Sequence, residues 1–176
     1  MRIVVFGTTG SGKSTFAAAV AKARDMPFIE LDLINWRPGW VDRSQLDLAG
    51  FISDVENAIS DESWVATGSY GIVRERLWAC ATDLVFLDLP RSTIMAQVIK
   101  RSFKRAASGK DVFPGCKEGW SRMLDPEHPI TWAWTTYHRR RATFHTLTEQ
   151  TAFAHLKIHH CKSREEVRAA LKRLTV

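Results

Sequence analysis

The segment Gly7-Thr8-Thr9-Gly10-Ser11-Gly12-Lys13-Ser14-Thr15 holds the densest chemistry in the chain. It fits the pattern G-x-x-x-x-G-K-[ST], follows an apolar β-branched run at 2–6, and opens an Ala-rich segment at 13–24. Glycines at these spacings let the backbone curl until successive N–H groups converge on phosphate oxygens. A helix starting at Lys13 would add the positive end of its dipole. Lys13 can then reach the β- and γ-phosphates, and the Ser14 hydroxyl can ligate Mg²⁺. Gly7, Gly10, Ser11, Gly12, Lys13, Ser14 and Thr15 are thus the expected nucleotide-binding set, with ATP and Mg²⁺ as cofactors.

Such a loop establishes the donor side of a reaction, not the acceptor. Glu30 and Asp32 lie two residues apart where a second strand (27–31) should end, so both carboxylates can share one face. Near a γ-phosphate they could position Mg²⁺, with Glu30 the metal candidate, and accept a proton from an acceptor hydroxyl, with Asp32 the base. Alternatively they cap the next turn or pair with a surface arginine. Asp88, ending a fourth strand, is another carboxylate candidate. Trp36 and Trp40 flank a Pro-Gly turn and could stack on a ring-bearing acceptor, or simply pack an irregular loop. Gly68 would let backbone approach a ligand, and Tyr70 could stack or donate a hydrogen bond.

Basic residues gather later in the chain. Residues 1–90 carry 8 Lys/Arg against 12 Asp/Glu, whereas 91–176 carry 17 against 7. An anionic partner is implied, either polyphosphate or nucleic acid. Arg101 and Arg105 precede a segment at 106–128 rich in Gly and Pro, which reads as a lid. Arg139, Arg140 and Arg141 follow it within a long helix expected at about 129–150. Trp134, Tyr137, Arg141 and Phe144 fall at i, i+3, i+7 and i+10, so Arg141 is expected on the buried stripe, Arg140 at its edge and Arg139 pointing away. An arginine on an apolar stripe needs an anion, so Arg141 is expected either to stabilise phosphate charge or to form a structural ion pair.

These residues need elements to hold them. Short apolar runs at 2–6, 27–31, 64–67, 84–89 and 155–159 predict five strands. Helical stripes lie between them, one capped by Ser44 and carrying Leu48, Phe51, Ile52, Val55 and Ile59. Alternation of this kind predicts an α/β fold, a five-stranded parallel sheet flanked by helices in three layers with a small lid, as one domain over 1–176. Ligands in such sheets bind beyond the carboxyl ends of the strands, where every polar cluster above would lie. At 176 residues, 45% hydrophobic and 25% charged, the chain has material for one core and is neither disordered nor fibrous. No apolar run nears the ~20 residues that span a bilayer. Three widely spaced cysteines, Cys80, Cys116 and Cys161, fit reduced thiols and a cytoplasmic setting, and the six histidines show no metal pattern.

The segments GTTGSGKST, ELDLINWRPGWV, WVATGSY, DLVFLDLPR and W-x-x-YHRRR together resemble the adenylate-kinase-related P-loop proteins known as DNA topology modulation proteins. The resemblance covers about residues 1–145 and implies a nucleoside- or nucleotide-kinase-like fold with a small lid. Relatives usually carry Asp where this chain has Thr67, which shifts the expected carboxylate role to Asp32. The ATG stretch and the spacing of Glu30 and Asp32 are also similar to shikimate kinases. The expectation is a P-loop kinase moving the γ-phosphate of MgATP to a small hydroxyl- or phosphate-bearing acceptor. The alternatives are an ATP-responsive DNA-binding protein and a shikimate-kinase-like metabolite kinase.

Overall fold

Ile3, Val4, Val5 and Phe6 in β1 (Arg2–Gly7) are all buried, because alternate side chains enter two different cores. Val4 and Phe6 join Ala66, Leu84, Phe86 and Trp78 on one face, while Ile3 and Val5 join Val65, Val85, Phe16 and Leu174 on the other. A sheet covered on both faces explains the nearly unbroken apolar strands. A computed structural model describes residues 1–176, apart from the Leu124 side chain.

From β1 the chain runs through α1 (Lys13–Arg24), β2 (Phe28–Glu30) and a short α2 (Leu31–Asn35). A two-stranded hairpin follows, β3 (Trp36–Arg37) and β4 (Val41–Asp42), then α3 (Arg43–Leu46) and α4 (Leu48–Ala58). Next come β5 (Trp64–Thr67), α5 (Gly71–Cys80), β6 (Asp83–Leu87) and α6 (Arg91–Ser108). A second hairpin, β7 (Asp111–Phe113) and β8 (Cys116–Lys117), and a 3₁₀ turn at Trp120–Leu124 lead to α7 (Pro129–Thr148). A further 3₁₀ turn, β9 (Lys157–Cys161) and α8 (Arg164–Thr175) complete the chain.

The five long-range strands form one parallel sheet in the order β2-β5-β1-β6-β9. The expected sheet is therefore present, with helices on both faces. The chain leaves β1 toward β2 on one side and β6 toward β9 on the other, which opens a crevice beyond their carboxyl ends.

Several boundaries move for local reasons. Asp47, not Ser44, caps the helix at 48–58: its side chain accepts from the Gly50 N–H at 3.0 Å. Ser44 instead donates twice, its N–H to Asn35 Oδ1 and its hydroxyl to Asp42 Oδ1. The last strand begins two residues later than its apolar pattern suggested, because Leu156 turns into the core below the sheet. Among the described residues no helix is long and apolar enough to cross a membrane.

Candidate active site

Between β1 and α1 the chain makes a tight turn. Gly10 holds φ +88°, and a Cβ there would come within 3.0 Å of the Val98 Cβ and 3.1 Å of the Ile94 carbonyl oxygen, so only glycine fits against α6. Gly12, at φ +96°, caps α1 without a side chain, leaving the first helical N–H groups free to meet an anion. Lys13 arches back over the turn, and its Nζ donates to the Thr8 carbonyl at 3.0 Å. Gly7, Thr9, Gly10, Gly12, Lys13, Ser14 and Thr15 all border one cavity of about 860 Å³. Ser11 is buried behind the turn, tying it through a backbone N–H bond to Thr8.

The register of the sheet brings the carboxylates to the same place. Glu30 pairs with Thr67 across β2 and β5, so the ends of both strands stand level. The Ser14 hydroxyl donates to Glu30 Oε1 at 2.5 Å, and Asp32 accepts from the Tyr70 hydroxyl at 2.6 Å. Ser14, Glu30 and Asp32 are hard oxygen donors facing the cavity, the set Mg²⁺ uses alongside water and phosphate oxygens. Among the described residues no three His, Cys, Asp or Glu converge to cage a metal without such help.

Cations dominate the rest of the wall. Arg101, on α6, and Arg140, on α7, are both brought down to about 10, chiefly by burial. Lys13 is lowered to about 8, first by burial and then by Arg140 and Arg101, against the pull of Asp32 and Glu30. Three desolvated cations around one space form a site that gains from an anion. Burial and the neighbouring Asp32 push the Tyr70 phenol far above its ordinary range, so it remains a proton-bearing donor.

The placement of α7 corrects the expectation for Arg141. The buried face of the helix carries Ala133, Thr136, Tyr137, Arg140 and Phe144, while Trp134 is 55% exposed. Arg140 reaches the cavity and donates to the Ser69 carbonyl at 3.0 Å. Arg139, expected to point away, also borders it. Arg141 turns outward: its Nε lies 2.9 Å from Oδ1 of the buried Asp88, whose Oδ2 is 3.0 Å from His160 Nε2. The structural ion pair thus prevails for Arg141, and Asp88 holds the helix rather than facing the cavity. Counting Trp134 as buried misphased the helix, because its inner face is partly polar.

Trp36, Trp40, Gly68, Tyr70 and Arg105 also border the cavity. Trp40 is already occupied. Its ring meets Trp36 and Phe113 edge-on, and the Arg122 guanidinium sits 4.6 Å from its centre. Other wall residues escaped the sequence reading, among them Arg74, Glu118, His128 and Trp132. Arg74 projects from the first turn of α5. Glu118, buried just after β8, lies 3.3 Å from Arg105 and 3.1 Å from His128. Against burial, the Ser102 hydroxyl and Arg105 hold the Glu118 carboxyl below the ordinary range. His128 accepts from the Ile130 N–H at Nδ1, capping α7 just before Pro129, a cap-then-proline signal legible in the sequence. Trp132 completes the set one turn on.

Residues 3–62 match the family model described as ATPase family associated with various cellular activities (AAA), which covers the phosphate loop and the first carboxylates. No curated protein matches the chain. Among solved structures, a shikimate kinase from Bacteroides thetaiotaomicron is similar at 19% identity over 99% of this chain and 95% of that one, with a TM-score of 0.52. A gluconokinase from Sinorhizobium meliloti 1021 is similar at 19% identity over 99% and 93%, with a TM-score of 0.51. A shikimate kinase from Acinetobacter baumannii, in complex with shikimate, reaches a TM-score of 0.55 at 13% identity over 98% and 89%. At these identities the likeness is one of fold. The chain has the fold of P-loop kinases.

Proposed function

We propose that this protein is an ATP-dependent phosphotransferase that moves the γ-phosphate of MgATP to a hydroxyl of a small acceptor. The observation that carries the reading is a single cavity holding Lys13 of the phosphate loop and the Tyr70–Asp32 pair just beyond the carboxyl ends of β5 and β2. The loop amides and Lys13 would hold the β- and γ-phosphates, and Ser14 with Glu30 would seat Mg²⁺, which when bound neutralises phosphate charge. Asp32, held in place by the Tyr70 hydroxyl, orients the acceptor hydroxyl and takes its proton as the O–P bond forms. Arg101 and Arg140 stabilise the anionic charge that develops during transfer.

The printed names of the similar structures, shikimate kinase and gluconokinase, fit a small hydroxylated acceptor. The motif resemblance to the adenylate-kinase-related DNA topology modulation proteins fits the same donor chemistry. The test is phosphate transfer from radiolabelled MgATP to a panel of nucleosides, nucleotides and small polyhydroxylated acids. Label in one acceptor, lost in Lys13→Ala and in Asp32→Asn, is the expected result. Label only in inorganic phosphate across the panel would leave a bare ATPase and overturn the reading.

A further inference from the structure

The outer side of the phosphate loop is held by α6. Gly10 fits against Ile94 and Val98, and half-buried Gln97 lies on the same helix between them. With its amide nitrogen turned to the loop, Gln97 donates to the Gly10 carbonyl at 2.6 Å, and its oxygen accepts from Arg164 Nη2 at 3.0 Å. The reverse orientation would set the amide oxygen against a carbonyl and the amide nitrogen against a guanidinium, so the network selects the first. Arg164 opens α8, and one amide thereby ties the loop to two helices.

The bond to Gly10 acts on a single peptide plane. The Gly10 carbonyl and the Ser11 N–H belong to that plane and point in opposite directions. Ser11 donates its N–H to the Thr8 carbonyl at 3.1 Å, the same oxygen that accepts from Lys13 Nζ at 3.0 Å. Thr8 is thus the inner anchor of the plane, and Gln97 is the outer one. Gly10, at φ +88°, crosses between backbone regions at little cost, so the plane can turn over unless both ends are held. Turned over, it would present a carbonyl oxygen where an anion needs N–H groups, and it would leave the Thr8 carbonyl to Lys13 alone.

We propose that Gln97 is a positioning residue for the nucleotide: it fixes the Gly10–Ser11 peptide in the orientation that keeps the loop open to phosphate. Gln97 stands outside the cavity wall, which Gly10 and Arg101 border. Gln97 and Arg101 are one helical turn apart, so α6 also sets the distance between the loop and a cation that meets the transferred charge. The proposal deepens the donor side of the phosphotransferase reading and rests on the loop holding a polyphosphate. That Gln97 orients the peptide does not depend on it.

Amide hydrogen exchange in the ligand-free protein, read residue by residue by nuclear magnetic resonance, tests the orientation directly. In Gln97→Met the Ser11 amide should exchange about tenfold faster, while the amides of β1 and β6 keep their rates. The Kd for MgATP should rise about tenfold, as expected for one hydrogen bond lost, with the melting temperature within about 4 °C of the original. Gln97→Glu keeps an acceptor for Arg164 but has no donor for Gly10, and it should reproduce both changes. Arg164→Met keeps the bond to Gly10 and should move either quantity less than about threefold. A Ser11 rate unmoved in both Gln97 variants would overturn the proposal, as would a faster Ser11 amide with an unchanged Kd for MgATP. Amides of β1 and β6 quickening in step with Ser11 would overturn it too, because Gln97 would then support the whole fold. Arg164→Met matching Gln97→Met would overturn it as well, since the bridge to α8 would then hold the loop. If the unmodified protein fails to bind MgATP, the phosphotransferase reading falls with the nucleotide half of the proposal, and the Ser11 rates still decide what Gln97 holds.

Discussion

The Tyr70 hydroxyl donates to Asp32 Oδ1 at 2.6 Å, tying the start of α5 to α2 at the wall of the cavity. The bond fixes one carboxylate oxygen and, in the proposed phosphotransferase, leaves the other to take an acceptor proton. Tyr70→Phe should therefore lower kcat about tenfold to a hundredfold while leaving the affinity for MgATP near its original value. Asp32→Asn should lower kcat more, with the same spared nucleotide affinity. Steady-state kinetics beside nucleotide titration checks both, and equal losses in transfer and in MgATP affinity would remove Asp32 from the acceptor side.

Lys13 gives the pH dependence. Its folded pKa of about 8 lies below the ordinary lysine value of 10.5, so the unfolded chain binds more protons between those two pH values. The stability of the ligand-free protein should accordingly rise as pH climbs from about 8 toward 10.5, and the cost of the buried cation is fully present below pH 8. Lys13→Met should raise the melting temperature of the ligand-free protein at pH 7 by roughly 2–6 °C. The same substitution should abolish the melting shift caused by MgATP.

Polyphosphate binding reverses that sign. Phosphate oxygens favour charged Lys13, so binding should take up most of a proton at pH 8.5 and weaken as pH rises through about 8. Calorimetric titration with a non-hydrolysable MgATP analogue, in two buffers of different ionisation enthalpy, measures that uptake. Proton release would show that Lys13 does not meet the phosphates.

How far the residues announced this arrangement depended on how local their signals were. The five strands and the phosphate loop were legible because Ile3–Phe6, Trp64–Thr67 and Asp83–Leu87 are apolar runs, and because the glycine spacing encodes a backbone shape directly. The two hairpins were not, since strands of two or three residues have no period to read. Arg74 and Glu118 gave no signal because what brings them to the cavity is tertiary. The phase of α7 failed for a related reason: Trp134 can sit on the outer face, 55% exposed, because the Arg91 guanidinium, 3.3 Å from its centre, shields one side of the ring.

That phase now separates two neighbouring arginines. Arg140 faces the cavity and, among the described residues, has the Ser69 carbonyl as its hydrogen-bond partner, so Arg140→Ala should cut kcat/KM about a hundredfold or more with little loss of stability. Arg141 has the opposite profile. Its removal leaves the buried Asp88 with His160 alone, and because the Arg141 side chain is itself 42% exposed the cost is discounted to about 1–3 kcal/mol. Denaturant melts and kinetics on the two variants distinguish them, and the reverse order would mean that α7 is rotated from the position described.

Phe144 tests the packing that holds α7 on the sheet. Its ring stacks on Phe86 at 4.1 Å between centroids, and the same Phe86 ring faces His160 at 5.1 Å, so the helix, β6 and β9 share one aromatic junction. Phe144→Ala should cost about 3–5 kcal/mol, the range for emptying a buried aromatic site. Phe144→Leu fills most of that space and should recover over half of the loss. Because Arg140 lies one turn before Phe144 on the same buried face, loosening this junction should also raise KM for the acceptor well before the protein unfolds. Chemical denaturation and acceptor kinetics at a fixed low temperature measure the two effects separately. A variant that melts early yet keeps its acceptor KM would show that Arg140 is positioned by the cavity wall and not by the packing of α7.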